Sequence, residues 1–498
     1  MLHSILLRGS LAVVTAAVMT HAGDARACGG GMFYPESEQA TVSVAGHQVV
    51  VSISKTRTVL WDRITFTGAP ADFAWVMPVA SGARLEIASA AWIEAIVGGT
   101  APIVVSPEVY CDDGGGSEGS SSGGCCGSAV DGGLRGYGGG SANGDGERQD
   151  VTVVHAENIG PYETVTIKSD VPGAIGKWLT DNGYAIPASV EPALDDYAAE
   201  GLEFIAAKLA PGKGVQDMRP VRVIMDGMLT TFPMRMLAAG ARASVPITLA
   251  VISEGRYEAK GFANTVIDGS KVTWDFNLHS SDYASVRKAA LAGSGGETWL
   301  TSFAANGGLL APLATEDQFR AFSLGDGGSF DTLAGLYFQR AVSIGETTTT
   351  CSEQAIAGIS SLPGEVVELC ADTTLPCSKL QPGQIDAATI GCGPLDDLST
   401  ALVGMHPKSV WISRLEADLP VASLAQDLTL TPASLQAPQS RVVQAGGQEG
   451  SPCPGASASA IRVSPERRAA APLGVLGFGL ALAIARKRTK RPQRSGSR

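Results

Sequence analysis

The chain has 498 residues, a net charge of −12 and a mean hydropathy of +0.13. Acidity on this scale repels phosphate backbones and anionic headgroups, which excludes a nucleic-acid partner. With 44% hydrophobic residues the composition supports a buried core and excludes a chain that is disordered throughout.

Residues 1–27 show the three zones of a secretory signal: Arg8, an apolar run from Leu11 to Met19, and Ala25-Arg26-Ala27 with small residues where a signal peptidase reads. The apolar run is about half of a membrane span, so an N-terminal transmembrane helix fails on length. Cleavage makes Cys28 the first mature residue. Lipidation of Cys28 is the alternative, although Ala-Arg-Ala lacks the aliphatic residue and small pair usual before a lipidated cysteine.

The region 28–440 reads as an exported unit. Thr41–Val44, Gln48–Ser54, Thr58–Phe66 and Phe73–Val79 are β-branched or alternating and predict a meander of strands. A helix is expected over Leu85–Val97, with Leu85, Ala88, Ala91, Trp92, Ala95 and Ile96 on one face. Residues 112–146 contain fifteen glycines and the Cys125-Cys126 pair, a composition that cannot bury a core and reads as a disordered insertion. A hairpin follows, Val151–Ile159 and Glu163–Ser169 around Gly160-Pro161. Two short helices, Ala174–Asn182 and Pro192–Glu200, are closed by Gly183 and Gly201. Strands are expected at Leu202–Leu209, Val221–Met225, Thr230–Met236, Ile247–Ile252 and Val266–Phe276. From Asp282 the pattern turns mainly helical, with Thr315 and Gln318 spaced as a capping box, and strands return at Val410–Leu415 and Asp427–Leu430. Strands and helices in separate runs predict an α+β class with an antiparallel strand-rich core and several helices.

Residues 441–468, rich in Gly, Ser, Ala and Pro, read as a flexible stalk. Ala469 to Ala485 carries no charge and is followed by Arg486, Lys487, Arg488, Lys490 and Arg491. This is a transmembrane or sorting helix near the lower limit of length, with 486–498 as a basic cytoplasmic tail. The tail resembles the tripartite sorting tails of bacterial surface proteins, which implies a sorting protease as a partner.

Several separated segments carry a second resemblance: Cys28-Gly29-Gly30, FTGAPADFAWVMPV (66–79), NIGPYETVTIKSD (158–170), KWLTDNGYAIP (177–187), YAAEGLEFIAAKL (197–209), TFPMRM (231–236) and WISRLEADLP (411–420). In order and spacing they resemble the bacterial family known as domain of unknown function 2330, over roughly residues 28–435. The resemblance implies an exported protein and supplies no catalytic residues.

Cys351, Cys370, Cys377 and Cys392 lie in one stretch with no histidine and no close pair. In an exported chain this favours two disulfides over zinc, with all three connectivities open. The histidines outside the signal are His47, His155, His279 and His406, and none forms a metal-ligand pair at helical spacing. A thiol-dependent activity would need His47 or His155 to approach a cysteine. Gly119, Ser121 and Gly123 match the hydrolase elbow formally, but they sit in a Gly/Ser tract rather than at a strand-to-helix turn. Asn143, Asp145 and Glu147, and the pair Asp326 and Asp331, do not fill a calcium loop. Asp72 stands beside Phe73 and Trp75, which are expected to pack in the core. No catalytic, cofactor or metal residues are read from the sequence. The chain is expected to be a single-pass membrane-anchored envelope protein that binds an unknown envelope ligand or protein or serves structurally, with an envelope enzyme, thiol-dependent or hydrolytic, as the alternative.

Overall fold

The computed structural model describes residues 43–67, 74–107, 150–184, 190–214, 217–238, 243–307, 332–348, 397–405 and 410–450. It also describes 26–27, 31–33, 109–111, 461–463 and the single residues 186, 241 and 309. In chain order the elements that build the core are β1 Ser43–Ile53, β2 Arg57–Thr67, β3 Ala74–Val79, β4 Arg84–Ile87, α1 Ala90–Gly99, β5 Thr152–Ile159, β6 Tyr162–Lys168, α2 Ala174–Asp181, α3 Glu191–Ala199, β7 Glu203–Leu209 and β8 Val221–Asp226. They continue with β9 Thr231–Phe232, β10 Ser244–Ser253, β11 Tyr257–Lys260, β12 Ala263–Thr265, α4 Tyr283–Leu291, β13 Thr298–Asn306, α5 Leu333–Ser343, α6 Asp397–Leu402, β14 Trp411–Pro420 and β15 Leu428–Pro432.

A nine-stranded sheet runs in the order β12-β13-β14-β10-β1-β2-β8-β4, with Arg26–Ala27 paired to β2. All of its pairings are antiparallel except β1 with β10 and β12 with β13. A five-stranded antiparallel sheet has the order Gly31–Phe33, β3, β7, β6, β5, and a three-stranded sheet the order β9-β15-β11. The strand-rich α+β class is thus the observed one.

Alternation along the strands divides the large sheet into two apolar faces. Val50, Val59, Trp61, Ala250, Ile252 and Ile412 pack against α1, α5 and α6. On this side the rings of Trp61, Trp92, Tyr337 and Phe338 form a chain with centroid separations of 5.6, 5.2 and 5.3 Å, each contact adding about 0.5–1.5 kcal/mol beyond its buried area. The opposite face is covered by the five-stranded sheet through Trp75, Met77 and Ile205 and by the three-stranded sheet through Tyr257, Leu428 and Leu430. Helices α2 and α3 close the far side of the five-stranded sheet.

The hairpin β5–β6 fixes how the two larger sheets meet. Gly160 turns at φ 57, and a Cβ there would stand 2.7 Å from Ile87 Cδ1 on the edge strand of the nine-stranded sheet. Glycine takes the turn at no steric cost and spares the Ile87 side chain a displacement. Gly183 and Gly201 follow α2 and α3 at φ 84, as their sequence positions predict.

Four expectations change. Leu85–Ile87 is strand rather than the start of a helix, because β4 pairs with β8 and captures Leu85 opposite Val223. Helix α1 begins at Ala90, where the backbone N–H groups of Ser89 and Ala90 donate to Asp397 Oδ2 at 2.8 Å and Glu346 Oε1 at 3.0 Å. The strand expected over Thr230–Met236 shortens to β9, since Pro233 has no N–H to continue a ladder and the chain enters a 3₁₀ turn at Arg235–Ala238. Val266–Phe276 is broken by the turn Gly269–Lys271, capped by Asp268 through the Ser270 N–H. In the mainly helical region, β13 is a sheet strand buried on both faces, which erases its alternation.

The first residues of the stretch read as stalk are part of the domain. Val442–Gln444 pairs with Ile103–Val105, and Gly447–Glu449 pairs with Thr273–Asp275. Val443 and Ala445 are buried, so the chain is bound to the domain as far as 450. Among the described residues no helix is long and apolar enough to cross a membrane. The segment 469–485, the insertion 112–146 and the capping box at Thr315 lie outside the described residues.

Candidate functional site

The cover over the inner face of the nine-stranded sheet changes from the five-stranded to the three-stranded sheet, and a cavity of about 320 Å³ remains at the change. Its floor is made by period-two neighbours on three adjacent strands: Val49 and Val51 of β1, Leu60 and Asp62 of β2, Ile247 and Leu249 of β10. Met77, Pro78 and Val79 of β3 roof one end, Phe232, Pro233 and Met234 roof the other, and Trp299 of β13 forms a wall. The lining is overwhelmingly apolar, and the volume falls at the small end of ligand pockets.

At the mouth, Tyr197, Glu200 and Asp427 line the opening. They are joined by Arg235, which the 3₁₀ turn after Pro233 brings over α3. Its guanidinium lies 4.2 Å from the centroid of the Tyr197 ring and donates to Asp427 Oδ2 at 2.8 Å, Glu200 Oε1 at 2.7 Å and Asp196 Oδ2 at 3.2 Å. Asp427 also accepts the Tyr197 hydroxyl and the Met234 N–H. Burial, then the hydrogen bond to Asp427 and that residue's charge, push the Tyr197 hydroxyl well above the ordinary phenol range. The hydrogen bond to Asp427 is the main cause holding the Arg235 guanidinium protonated beyond its usual value, against the opposing pull of burial. Three carboxylates around one guanidinium leave the mouth net negative.

Inside, the floor has one ionisable group, Asp62, with His47 beside it. Asp62 is 4% exposed and His47, its diagonal neighbour across the β1–β2 hairpin, 2%. His47 Nδ1 lies 3.6 Å from Asp62 Oδ1, beyond hydrogen-bond length, and this nitrogen makes no hydrogen bond.

The sequence named His47 only as a possible partner for a thiol. The structure sets it against a carboxylate instead. Neither Asp62 nor the mouth residues stood out as chemistry in the sequence: Tyr197 and Arg235 fall in the segments 197–209 and 231–236, which carry the family resemblance but no role, Asp427 belongs to no such segment, and Asp62 occupies an unremarkable strand position. His155 is on the exposed strand β5, 3.1 Å from Glu157, and His279 is an exposed turn residue at φ 49. Trp75 is buried in the core as expected. The disulfide candidates Cys351, Cys370, Cys377 and Cys392, the lipidation alternative Cys28, the Gly119–Gly123 motif and both acidic loop candidates lie outside the described residues, as do Asp72, Phe73 and His406. Among the described residues no group of three His, Cys, Asp or Glu side chains is placed to hold a metal ion.

A model of a bacterial family described as an uncharacterized protein conserved in bacteria matches residues 24–308. The match stops short of β14, β15 and Asp427, although β14 lies inside the nine-stranded sheet between β13 and β10. No curated protein and no solved structure matches the chain.

Proposed function

Since the chain belongs to the bacterial family of domain of unknown function 2330, which assigns no chemistry, we propose from the site itself that it is an exported, membrane-anchored envelope protein that binds a small apolar molecule between its sheets. The observation that carries the reading is the cavity of about 320 Å³ floored by Val49, Val51, Leu60, Ile247 and Leu249 and bordered by the Tyr197–Asp427–Arg235 network. A natural core is packed to crystal-like density. An apolar space of this size beside a polar, fixed mouth is the form that ligand pockets take. Export and anchoring rest on the signal-like 1–27 and the apolar segment 469–485 with its basic flank. Binding is favoured over catalysis by the lining: its hydroxyls are Thr231, which contacts Thr429 at 3.1 Å at the exposed edge, and Tyr197, which donates to Asp427. Thr231 meets another hydroxyl, and the Tyr197 hydroxyl, which does face the Asp427 carboxylate, is held in its protonated form by burial and by that hydrogen bond and charge.

The test titrates the full-length chain in detergent with the apolar fluorophore N-phenyl-1-naphthylamine, using Leu249→Trp as the blank that cancels partition into micelles. Saturable emission in the wild type that the filled variant lacks is the expected result. Equal signals from the two proteins at matched folding would remove the cavity as a binding site. Fractionation of cells making the full chain, or a chain ended at Ser464, checks the location, with membrane retention expected only for the former.

A further inference from the structure

Trp299 of β13 forms a wall of the cavity and is fully buried in the apolar cluster that includes Val51, Ile247 and Leu249. Its ring meets Phe262 edge-on, with centroids 6.2 Å apart and planes at 71°, a contact that offers the indole no oxygen or nitrogen acceptor. The Nε1–H makes no hydrogen bond. An indole N–H is a donor only, and a buried donor without an acceptor costs free energy that a phenyl ring in its place would avoid. On the opposite face of the sheet the Trp61 indole has such an acceptor, Asp397 Oδ1 at 2.7 Å. The indoles of Trp75 and Trp92 also lack one, yet neither lines the cavity, and Trp92 packs against the rings of Trp61 and Tyr337. Among the described residues, Trp299 is the one unpaired indole that borders space.

A ligand filling that space can bring the missing acceptor, and the rest of the lining narrows its head. Among the described residues no lysine, arginine or histidine lines the cavity, so a carboxylate or phosphate head would enter an apolar setting without a counter-charge. An ammonium head would compete with Arg235, which already binds Glu200 and Asp427. Val49, Val51, Leu60, Ile247 and Leu249 suit a hydrocarbon body. A carbonyl presents an acceptor and no donor, the complement of an indole N–H, and has no charge to desolvate. Resting on the reading of the cavity as a binding site, we infer that its ligand is a neutral apolar carbonyl compound, a ketone or an ester, whose oxygen accepts the Trp299 Nε1–H.

The experiment displaces the naphthylamine probe from the full-length chain in detergent with four competitors, compared at equal free concentration and with Leu249→Trp as the blank. They are hexan-2-one, 2-methylhex-1-ene, which keeps the shape and lacks the acceptor, hexanoate and hexylamine. The ketone is expected to compete about tenfold more strongly than the alkene, the gain when a buried donor finds its acceptor, and more strongly than either ion. Trp299→Phe should still bind the probe and should bring ketone and alkene level. In proton–nitrogen spectra of the chain with isotopically labelled tryptophan, the ketone and not the alkene should move the Trp299 indole proton downfield, its peak being the one that Trp299→Phe lacks. If the probe binds but ketone and alkene compete alike, if an ion competes best, or if Trp299→Phe keeps the preference, the inference is overturned and the binding site stands. If the probe itself fails to bind, both readings fall together. Should Trp299→Phe not fold, the ketone-to-alkene ratio on the wild type decides, together with whether the ketone alone shifts one of its seven indole peaks downfield.

Discussion

The two faces of one sheet in this protein follow opposite rules. Under α1, α5 and α6 the nine-stranded sheet buries charge and compensates it in full. Asp397, 0% exposed, accepts from Arg222 at 2.9 Å, from the Trp61 indole at 2.7 Å and from the Ser89 N–H at 2.8 Å. Arg222 turns its remaining donors to Glu86. Glu416 accepts from Ser302 and Arg414 at 2.7 Å each and from Arg287, and Arg414 donates onward to the Val97 carbonyl. The other face is mostly apolar and has a cavity; among the described residues it holds one imidazole, His47, whose Nδ1 lies 3.6 Å from Asp62 Oδ1. Saturated networks fix a single geometry for helices that arrive from distant parts of the chain. The face without them keeps space. One side of the sheet is thus a saturated scaffold, and the other keeps the space that the proposed receptacle would use.

The comparison breaks most visibly at Asp397. Asp397→Ala removes the acceptor of Arg222 Nη1, of the Trp61 indole and of the Ser89 N–H, while Arg222 keeps Glu86, and removal of one partner from a buried ion pair costs about 3–5 kcal/mol. Chemical unfolding of the full chain should show a loss of that size, and a loss under about 1 kcal/mol would mean that the network is not what holds α6 to the sheet.

A smaller effect is expected at Glu416, and it carries a pH signature. Burial pulls this carboxyl upward, but the charges of Arg414 and Arg287 and the hydrogen bonds from Arg414 and Ser302 outweigh it, so it stays below its ordinary value of 4.5. The unfolded chain therefore takes up this proton at higher pH than the folded one. The stabilisation is complete above 4.5 and is lost as pH falls through the folded value. Glu416→Gln should cost about 1.5–3 kcal/mol at neutral pH, the range for hydrogen bonds to charged groups, and its deficit against wild type should narrow below pH 4.5. Parallel acid profiles for the two proteins would show that the carboxylate is not held in its charged form by the fold.

Much of the scaffold was legible in the sequence and little of the receptacle. The hairpin at Gly160-Pro161 and the glycine-closed helices are local events, written in turn and cap residues that act on their own neighbours. Strands β1 and β2 show because one stretch of alternation suffices to place them. The helix assigned from Leu85 failed because apolar residues at 85, 88, 91, 92, 95 and 96 satisfy the helical period, while the pairing that takes Leu85–Ile87 into the sheet comes from β8, more than a hundred positions later. Strand β13 hid for the opposite reason, since burial on both faces removes the period. The site was least legible. Tyr197 and Asp427 are 230 positions apart, Arg235 and Asp427 192, and only the finished fold makes them neighbours.

The smallest expected change separates the faces within a single strand. Leu249 and Ile252 both belong to β10, both are buried, and their side chains project to opposite sides of the sheet. Ile252 packs in the cluster with Trp61, Trp92, Tyr337 and Phe338, where a larger ring must displace side chains already in contact, and overpacking of this kind costs about 1–3 kcal/mol. Leu249 borders the cavity, so a phenyl ring at that position has space before it meets the roof at Met77 or Phe232. Chemical unfolding should therefore place Ile252→Phe well below wild type and Leu249→Phe within about 1 kcal/mol of it, in either direction, because apolar area gained in the cavity offsets local adjustment. The same pair should divide in ligand binding, with the naphthylamine probe weakened in Leu249→Phe and unchanged in Ile252→Phe once the latter is assayed where it is folded. A destabilisation of Leu249→Phe as large as that of Ile252→Phe would show that the inner face is packed as tightly as the outer one, and the contrast between scaffold and receptacle would be lost.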